Sequence, residues 1–214
     1  MARSPDPDLA QKRRRQILDA ALTCFARRGF HQATINQICT EAGLSTGAVY
    51  RYFPSKNDLI LAIAEEDRGA LLQALDSVGE QAGFQARMRA VAHVWLERIA
   101  ERDRALIAEV LAEAARDPSL GRRLAQVDRP LRAVISEAVQ TGQARGEVDP
   151  ALDEEAAVRL VMAALDGMAL RLLLFEALEP AQALADSELL FERFFAPRQG
   201  SRRRSASLQA EPFG

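Results

Sequence analysis

Between Thr34 and Lys56 the chain reads TINQICTEAGLSTGAVYRYFPSK, a run in which hydroxyls, a guanidinium and an ammonium recur at helical spacing. Thr46 and Tyr50 are four residues apart and share one face of a helix, and Gly47 and Ala48 beside them are small enough to let a partner come close. Arg51 and Tyr52 add a cation and a second phenol. Such a surface suits the major groove of double-stranded DNA, where hydroxyl and guanidinium groups meet base edges and phosphates.

The surrounding residues predict two short helices that hold this surface. Thr34 and Gln37 form a Thr-x-x-Gln capping box, which starts the first. Gly43 can take the left-handed conformation that ends it, and Ser45 is a good N-cap for the second. On that second helix Val49 and Phe53 point inward, and Pro54 stops it. Ser55 then caps a further helix through Ser-x-x-Asp to Asp58. Lys56 falls in the first turn of that helix, where the dipole disfavours a cation, and a nearby phosphate would explain its place.

From about Arg13 to Glu65 the chain resembles the DNA-binding domain of the TetR family of bacterial transcription regulators. The resemblance rests on ILDAALTCFARRGFHQATINQIC followed by AGLSTGAVYRYFPSKNDLI. It implies that Thr46, Gly47, Ala48 and Tyr50 face bases, that Arg51, Tyr52 and Lys56 hold phosphates, and that Asn36 reaches a base edge. Thr34 and Ser45, the two caps, are counted with that surface. Ala48 stands where a threonine is common in the family, and Ile35 is apolar where some members are polar, which leaves the operator sequence open.

Charge is distributed as this reading requires. Residues 1–56 hold nine basic and four acidic side chains, a surplus of five, which against a total of −2 leaves −7 for the remainder. A basic head on an acidic body is expected where only the head approaches phosphate. There is no apolar run of membrane-spanning length and no signal-peptide core, so no membrane partner and a cytoplasmic location are expected. The two cysteines, Cys24 and Cys39, sit at apolar helical positions and read as small buried hydrophobes.

The fold expected is all-α with about nine helices. Residues 1–12 read as a disordered arm, 13–56 as the helix-turn-helix domain and 57–78 as a connecting helix. Residues 79–196 read as a ligand-binding and dimerisation domain, with one unbroken helix over 119–141, and 197–214 as a disordered Arg-rich tail. The segment AVRLVMAALDGMALRLLLFEAL is apolar on more than one face, which predicts a second partner. Val158, Val161, Leu165 and Leu170, with Leu189, Leu190 and Phe194, are the candidates for a homodimer interface, and Gly167 would permit close helix approach.

Phe84, Met88, Val91, Trp95, Leu106, Val110, Met162 and Phe175 are the candidates for an apolar pocket that takes a small-molecule effector. Asp166, an acid inside an apolar run, would pair structurally or receive a cationic group. His93 has no second ligand at metal spacing, and no nucleophile–base pair or phosphate-binding glycine loop is present, so neither metal, cofactor nor enzymatic activity is expected. The function expected is a homodimeric repressor released from its operator by a small apolar ligand; the competing readings are an activator, an architectural or division-type DNA binder with a protein-binding body, and a helical adaptor.

Overall fold

The computed structural model describes residues 7–79, 81–101, 104–174 and 178–198. Among them are ten helices: α1 (Pro7–Gln32), α2 (Ile35–Ala42), α3 (Thr46–Tyr52), α4 (Lys56–Val78), α5 (Phe84–Glu101), α6 (Arg104–Arg116), α7 (Pro118–Val127), α8 (Arg129–Arg145), α9 (Glu154–Leu174) and α10 (Pro180–Phe195). The tenth arises where the sequence predicts one helix over 119–141. Pro130 lacks an amide hydrogen and its ring collides with the carbonyl four residues back, so the helix breaks at Asp128 and restarts at Arg129. α1 begins at Pro7, inside the stretch read as an arm, with Asp8 in its first turn where an acid favours the helix dipole. Residues 1–6 and most of the expected tail, 199–214, lie outside the described residues.

The local signals for the helix-turn-helix hold in detail. Thr34 Oγ1 accepts from the Gln37 amide and Gln37 Oε1 accepts from the Thr34 amide, so both halves of the box are made. Gly43 closes α2 at φ 62°, and Ser45 Oγ accepts from the Ala48 amide to open α3. Gly29 breaks the helical path near the end of α1 at φ 77°, which lets the chain turn toward α2.

Two units divide the chain: Met1–Gln73 with Glu97–Leu131, and Ala74–Leu96 with Arg132–Gly214. The first is built on Ile17, Leu18, Phe25, Ile38, Val49 and Leu59, with both cysteines buried and unpaired in it. Leu106 is buried in this same core and Val110 packs against it, so these two candidates for the effector pocket belong to the first unit, whereas Phe84, Met88 and Val91 belong to the second. Their periodicity on α6 is that of any core helix; the partner across it is what periodicity does not show.

In the second unit Phe84 packs on Phe195 with ring centroids 5.1 Å apart, and Phe191 joins Phe195 edge-on. α10 buries Ala183, Ser187, Phe191 and Phe195, successive positions four apart, and the Ser187 hydroxyl donates to the Ala183 carbonyl at 2.8 Å, so its burial leaves no donor unused. α9 buries Val158, Val161, Met162 and Leu165.

Candidate nucleic-acid interface

The surface of α3 is assembled by the caps on either side of it. Val49 is fully buried and Phe53 nearly so, which fixes the helix by one face and turns the other outward. On that outer face Thr46, Gly47, Tyr50 and Arg51 are exposed, with Ala48 half-buried between them; Ser45 at the N-cap and Asn36 on α2 are exposed as well. Tyr50 keeps 47% of its surface, unusual for an aromatic ring on a packed domain, and nothing in the first unit covers it. Thr34 is exposed and committed to the capping box. A Cβ added at Gly47 would meet nothing within 4 Å, so its small size leaves room on the outside instead of relieving a clash within the unit.

Tyr52 and Lys56 are held differently. Tyr52 packs against the core of the unit and is half-buried. The Lys56 ammonium donates to the carbonyls of Phe30 at 2.5 Å, Ala33 at 3.0 Å and His31 at 3.2 Å, and lies 4.5 Å from the centre of the Phe30 ring. All three of its N–H donors are thus provided for by the end of α1 and the residue just after it, and these carbonyls account for a cation in the first turn of α4 without a phosphate. Burial pushes its pKa below the usual lysine value, opposed by the negative charges of Glu113 and Glu109.

Glu109 of α6, which the sequence did not mark, completes the arrangement. Its Oε2 accepts from the Phe30 amide and from the His31 amide, the latter at 3.3 Å. The peptide units leading out of α1 are therefore held from both sides, carbonyls by a cation from α4 and amides by an anion from α6. Gly29 makes this possible, because a Cβ there would stand 2.6 Å from Glu109 Oε1. His31 is exposed, with its ring 3.7 Å from Glu113. Burial, with Glu41 adding to it, raises the Cys24 pKa against the lowering effect of Arg28 and Arg27, which disfavours the thiolate.

The family model described as bacterial regulatory proteins, tetR family, matches residues 17–63, and that described as Tetracyclin repressor-like, C-terminal domain, matches residues 78–187. The chain belongs to the TetR family. It is 31% identical over 153 residues to the HTH-type transcriptional regulator UidR of Escherichia coli K12, covering 72% of this chain and 78% of that one. Among solved structures it is similar to Salmonella enterica GusR, with a TM-score of 0.65 at 29% identity over 88% of this chain and 96% of the other. The fold also matches the transcriptional regulator FadR from Bacillus subtilis, solved with stearoyl-CoA, at a TM-score of 0.72 and 19% identity over 84% and 97% of the two chains. The chain is thus a TetR-family DNA-binding transcriptional regulator, and its relatives are regulators, not enzymes.

The remaining sites expected of such a regulator are placed unevenly. Val158, Val161 and Leu165 turn into their own unit, which corrects their expected role at a dimer interface: the side chains are spent on α9's inner face. Leu170, Leu189, Leu190 and Phe194 are exposed, and two leucines the sequence reading passed over, Leu160 and Leu174, join them. On α9 the outward positions Leu160, Ala163, Gly167, Leu170 and Leu174 alternate three and four apart, which is one stripe of a helix, and Gly167 is open on its outer side. Of the pocket candidates, Phe84, Met88, Val91 and Met162 are buried and Trp95 is half-buried, whereas Asp166 is exposed and Phe175 lies outside the described residues. No described helix is long and apolar enough to cross a membrane.

Proposed function

We propose that this regulator is a homodimeric repressor that occupies an operator through α3 of each copy and leaves it when an effector binds the second unit. The observation that carries the reading is the pair of complementary exposed surfaces: hydroxyls and a guanidinium on α3, and an unpartnered leucine–phenylalanine face on α9 and α10. Six large apolar side chains left in water favour association, since each such residue contributes roughly 1.5–3 kcal/mol when fully buried. A two-fold axis through Leu170, Leu174, Leu190 and Phe194 would build a four-helix bundle and fix two α3 helices relative to each other. Dimeric readout of this kind requires half-sites about one helical turn apart, about 10 base pairs or a multiple of it.

Within each half-site Thr46, Gly47, Ala48 and Tyr50 contact bases, Arg51 contacts the phosphate backbone, and Asn36 reaches in from α2. Lys56 positions the turn before α2 and supports that contact indirectly. An effector that binds better to a form in which the two heads are wrongly spaced shifts the population away from the DNA-competent state, and a coupling of about 1–3 kcal/mol changes operator affinity roughly 5- to 150-fold.

The test combines light scattering with sequencing of genomic DNA captured by the purified chain. A dimer enriching an inverted repeat is expected. Leu190→Asp with Phe194→Asp should yield folded monomers that lose the enrichment, whereas Tyr50→Ala should remain dimeric and alter the preferred base at one position per half-site. A wild-type monomer, or capture without sequence preference, would defeat the proposal.

A further inference from the structure

The inward face of α5 carries a cation with no partner among the described residues. Phe84, Met88, Val91 and Ala92 form its buried stripe, each 2% exposed or less, and Arg87 stands within that stripe, three residues from Phe84 and four from Val91, with 6% of its surface exposed. Its Nε is buried without a hydrogen bond, and no described residue bonds or ion-pairs with its guanidinium. Three acids of the same unit point elsewhere: Glu147 accepts from the Phe84 amide at 2.6 Å, Asp149 from the Ala151 amide at 2.9 Å, and Glu188 Oε1 lies 2.9 Å from Arg89 Nε, an ion pair that makes no hydrogen bond.

A guanidinium cannot shed its proton, so burial leaves it charged, and a buried charge without a counter-charge costs several kcal/mol. Arg87 also sits in the first turn of an 18-residue helix that has no acid in that turn, so the positive end of the helix dipole adds to the same sign. Both features are relieved by one kind of molecule. A planar carboxylate or a phosphate takes two parallel N–H bonds from the guanidinium fork, and Phe84, Met88 and Val91, buried beside Arg87 on the same helix, are the apolar side chains that what is attached to it would meet as it enters.

We propose that Arg87 is the anchoring residue for an anionic, amphiphilic effector, whose carboxylate or phosphoryl group pairs with the guanidinium while its apolar part lies against α5. The inference rests on the reading of the chain as an effector-responsive regulator and narrows it: the effector is neither a neutral apolar molecule nor a cation held by Asp166, which is exposed.

Four probes of equal chain length separate the possibilities when added below their micellar concentrations to the full-length protein: decanoate, decyl phosphate, decanol and decyltrimethylammonium. Decanoate or decyl phosphate should raise the melting temperature and release captured genomic DNA, with decanol and the ammonium inert. A response to decanoate alone assigns a carboxylate, and one to decyl phosphate alone a phosphoryl group. Arg87→Met should weaken the anion response roughly 10- to 100-fold, the loss expected for charge-assisted hydrogen bonds. Without probe it should melt no lower than wild type, since an apolar chain of similar length replaces a lone charge. Arg87→Lys, which keeps the charge and loses the fork, should fall between.

The proposal is overturned if neither anion acts, if decanol acts as well as decanoate, or if Arg87→Met responds like wild type. A probe-free melting temperature several degrees lower in Arg87→Met overturns it too, by showing a native partner. Failure of the wild-type protein to capture DNA would sink the repressor reading alone, because the melting shift and its loss in Arg87→Met are read without DNA.

Discussion

The first turns of α4 and α5 each carry a cation drawn away from solvent, and the chain provides for the two in opposite ways. Lys56 has three carbonyls and an aromatic face; Arg87, more deeply buried, has an apolar stripe and no acceptor among the described residues. The Lys56 site is thus electrostatically complete by itself. The Arg87 site is not, since its Nε is buried without a hydrogen bond. A satisfied polar cluster gives rigidity, whereas an unsatisfied one stores a preference for whatever satisfies it.

The sharpest way to break this contrast is to remove each cation in turn. Lys56→Ala leaves the carbonyls of Phe30, His31 and Ala33 without their donor and takes the ammonium from the Phe30 ring, so a loss of about 2–3 kcal/mol is expected. Chemical denaturation would read it, with Arg87→Met as the reference that loses nothing. Equal stabilities for the two variants would erase the distinction between a completed and an uncompleted site. Operator binding by Lys56→Ala should weaken for all sequences alike, because the turn before α2 is loosened and no base contact is removed.

Gly29→Ala strikes the same clamp from the anionic side with a smaller effect. A φ of 77° is strained for any side chain, and the new Cβ would force Glu109 off the Phe30 and His31 amides. A loss of about 1–2 kcal/mol is expected from those two terms together. Gly43→Ala is the comparison, since its φ is also positive but its Cβ would meet nothing within 4 Å. Only the backbone share, about 1 kcal/mol or less, should be lost there. If both variants are equally destabilised, Glu109 contributes nothing to holding the turn.

What was legible in the sequence follows from the range of the interactions. The box of Thr34 and Gln37, the turn at Gly43 and the cap at Ser45 are closed within three or four residues, so spacing alone reveals them. Lys56 was legible as an anomaly but not in its resolution, because its acceptors lie 23 to 26 residues earlier in the chain. Leu106 and Val110 carry the same apolar period as any effector-pocket lining, and only tertiary contact places them in the first unit's core. Of the expected dimer residues, the ones on α9's inner face went astray because a helix apolar all round does not say which stripe faces home. Arg87 had a usable signal: a charge interrupting the stripe of Phe84, Met88 and Val91 at three- and four-residue spacing. The break at Asp128 had one as well, in Pro130.

The smallest effect expected belongs to the ion pair beside Lys56 on the same turn. Asp58 takes bonds from Arg123 Nη2 at 2.5 Å and from Ser55 Oγ at 2.6 Å. Burial is the largest single influence on its carboxyl and raises its pKa, but the bonds from Arg123 and Ser55 together outweigh it and hold the value below the ordinary one. A carboxyl whose folded pKa is depressed contributes stability above its unfolded value, near pH 4, and that contribution fades as pH falls through the folded value. Arg123 is 48% exposed, so solvent screens the pair and Arg123→Gln should cost only about 0.5–1 kcal/mol at neutral pH. The melting temperatures of variant and wild type should therefore differ by a few degrees at pH 7 and draw together only as pH falls through the depressed folded value, where Asp58 takes up its proton. A gap that persists undiminished down to the lowest pH at which the wild type stays folded would mean that Arg123 acts by packing its methylenes on α4, not by charge, and the polar ties around the turn before α2 would then rest on Lys56 and Glu109 alone.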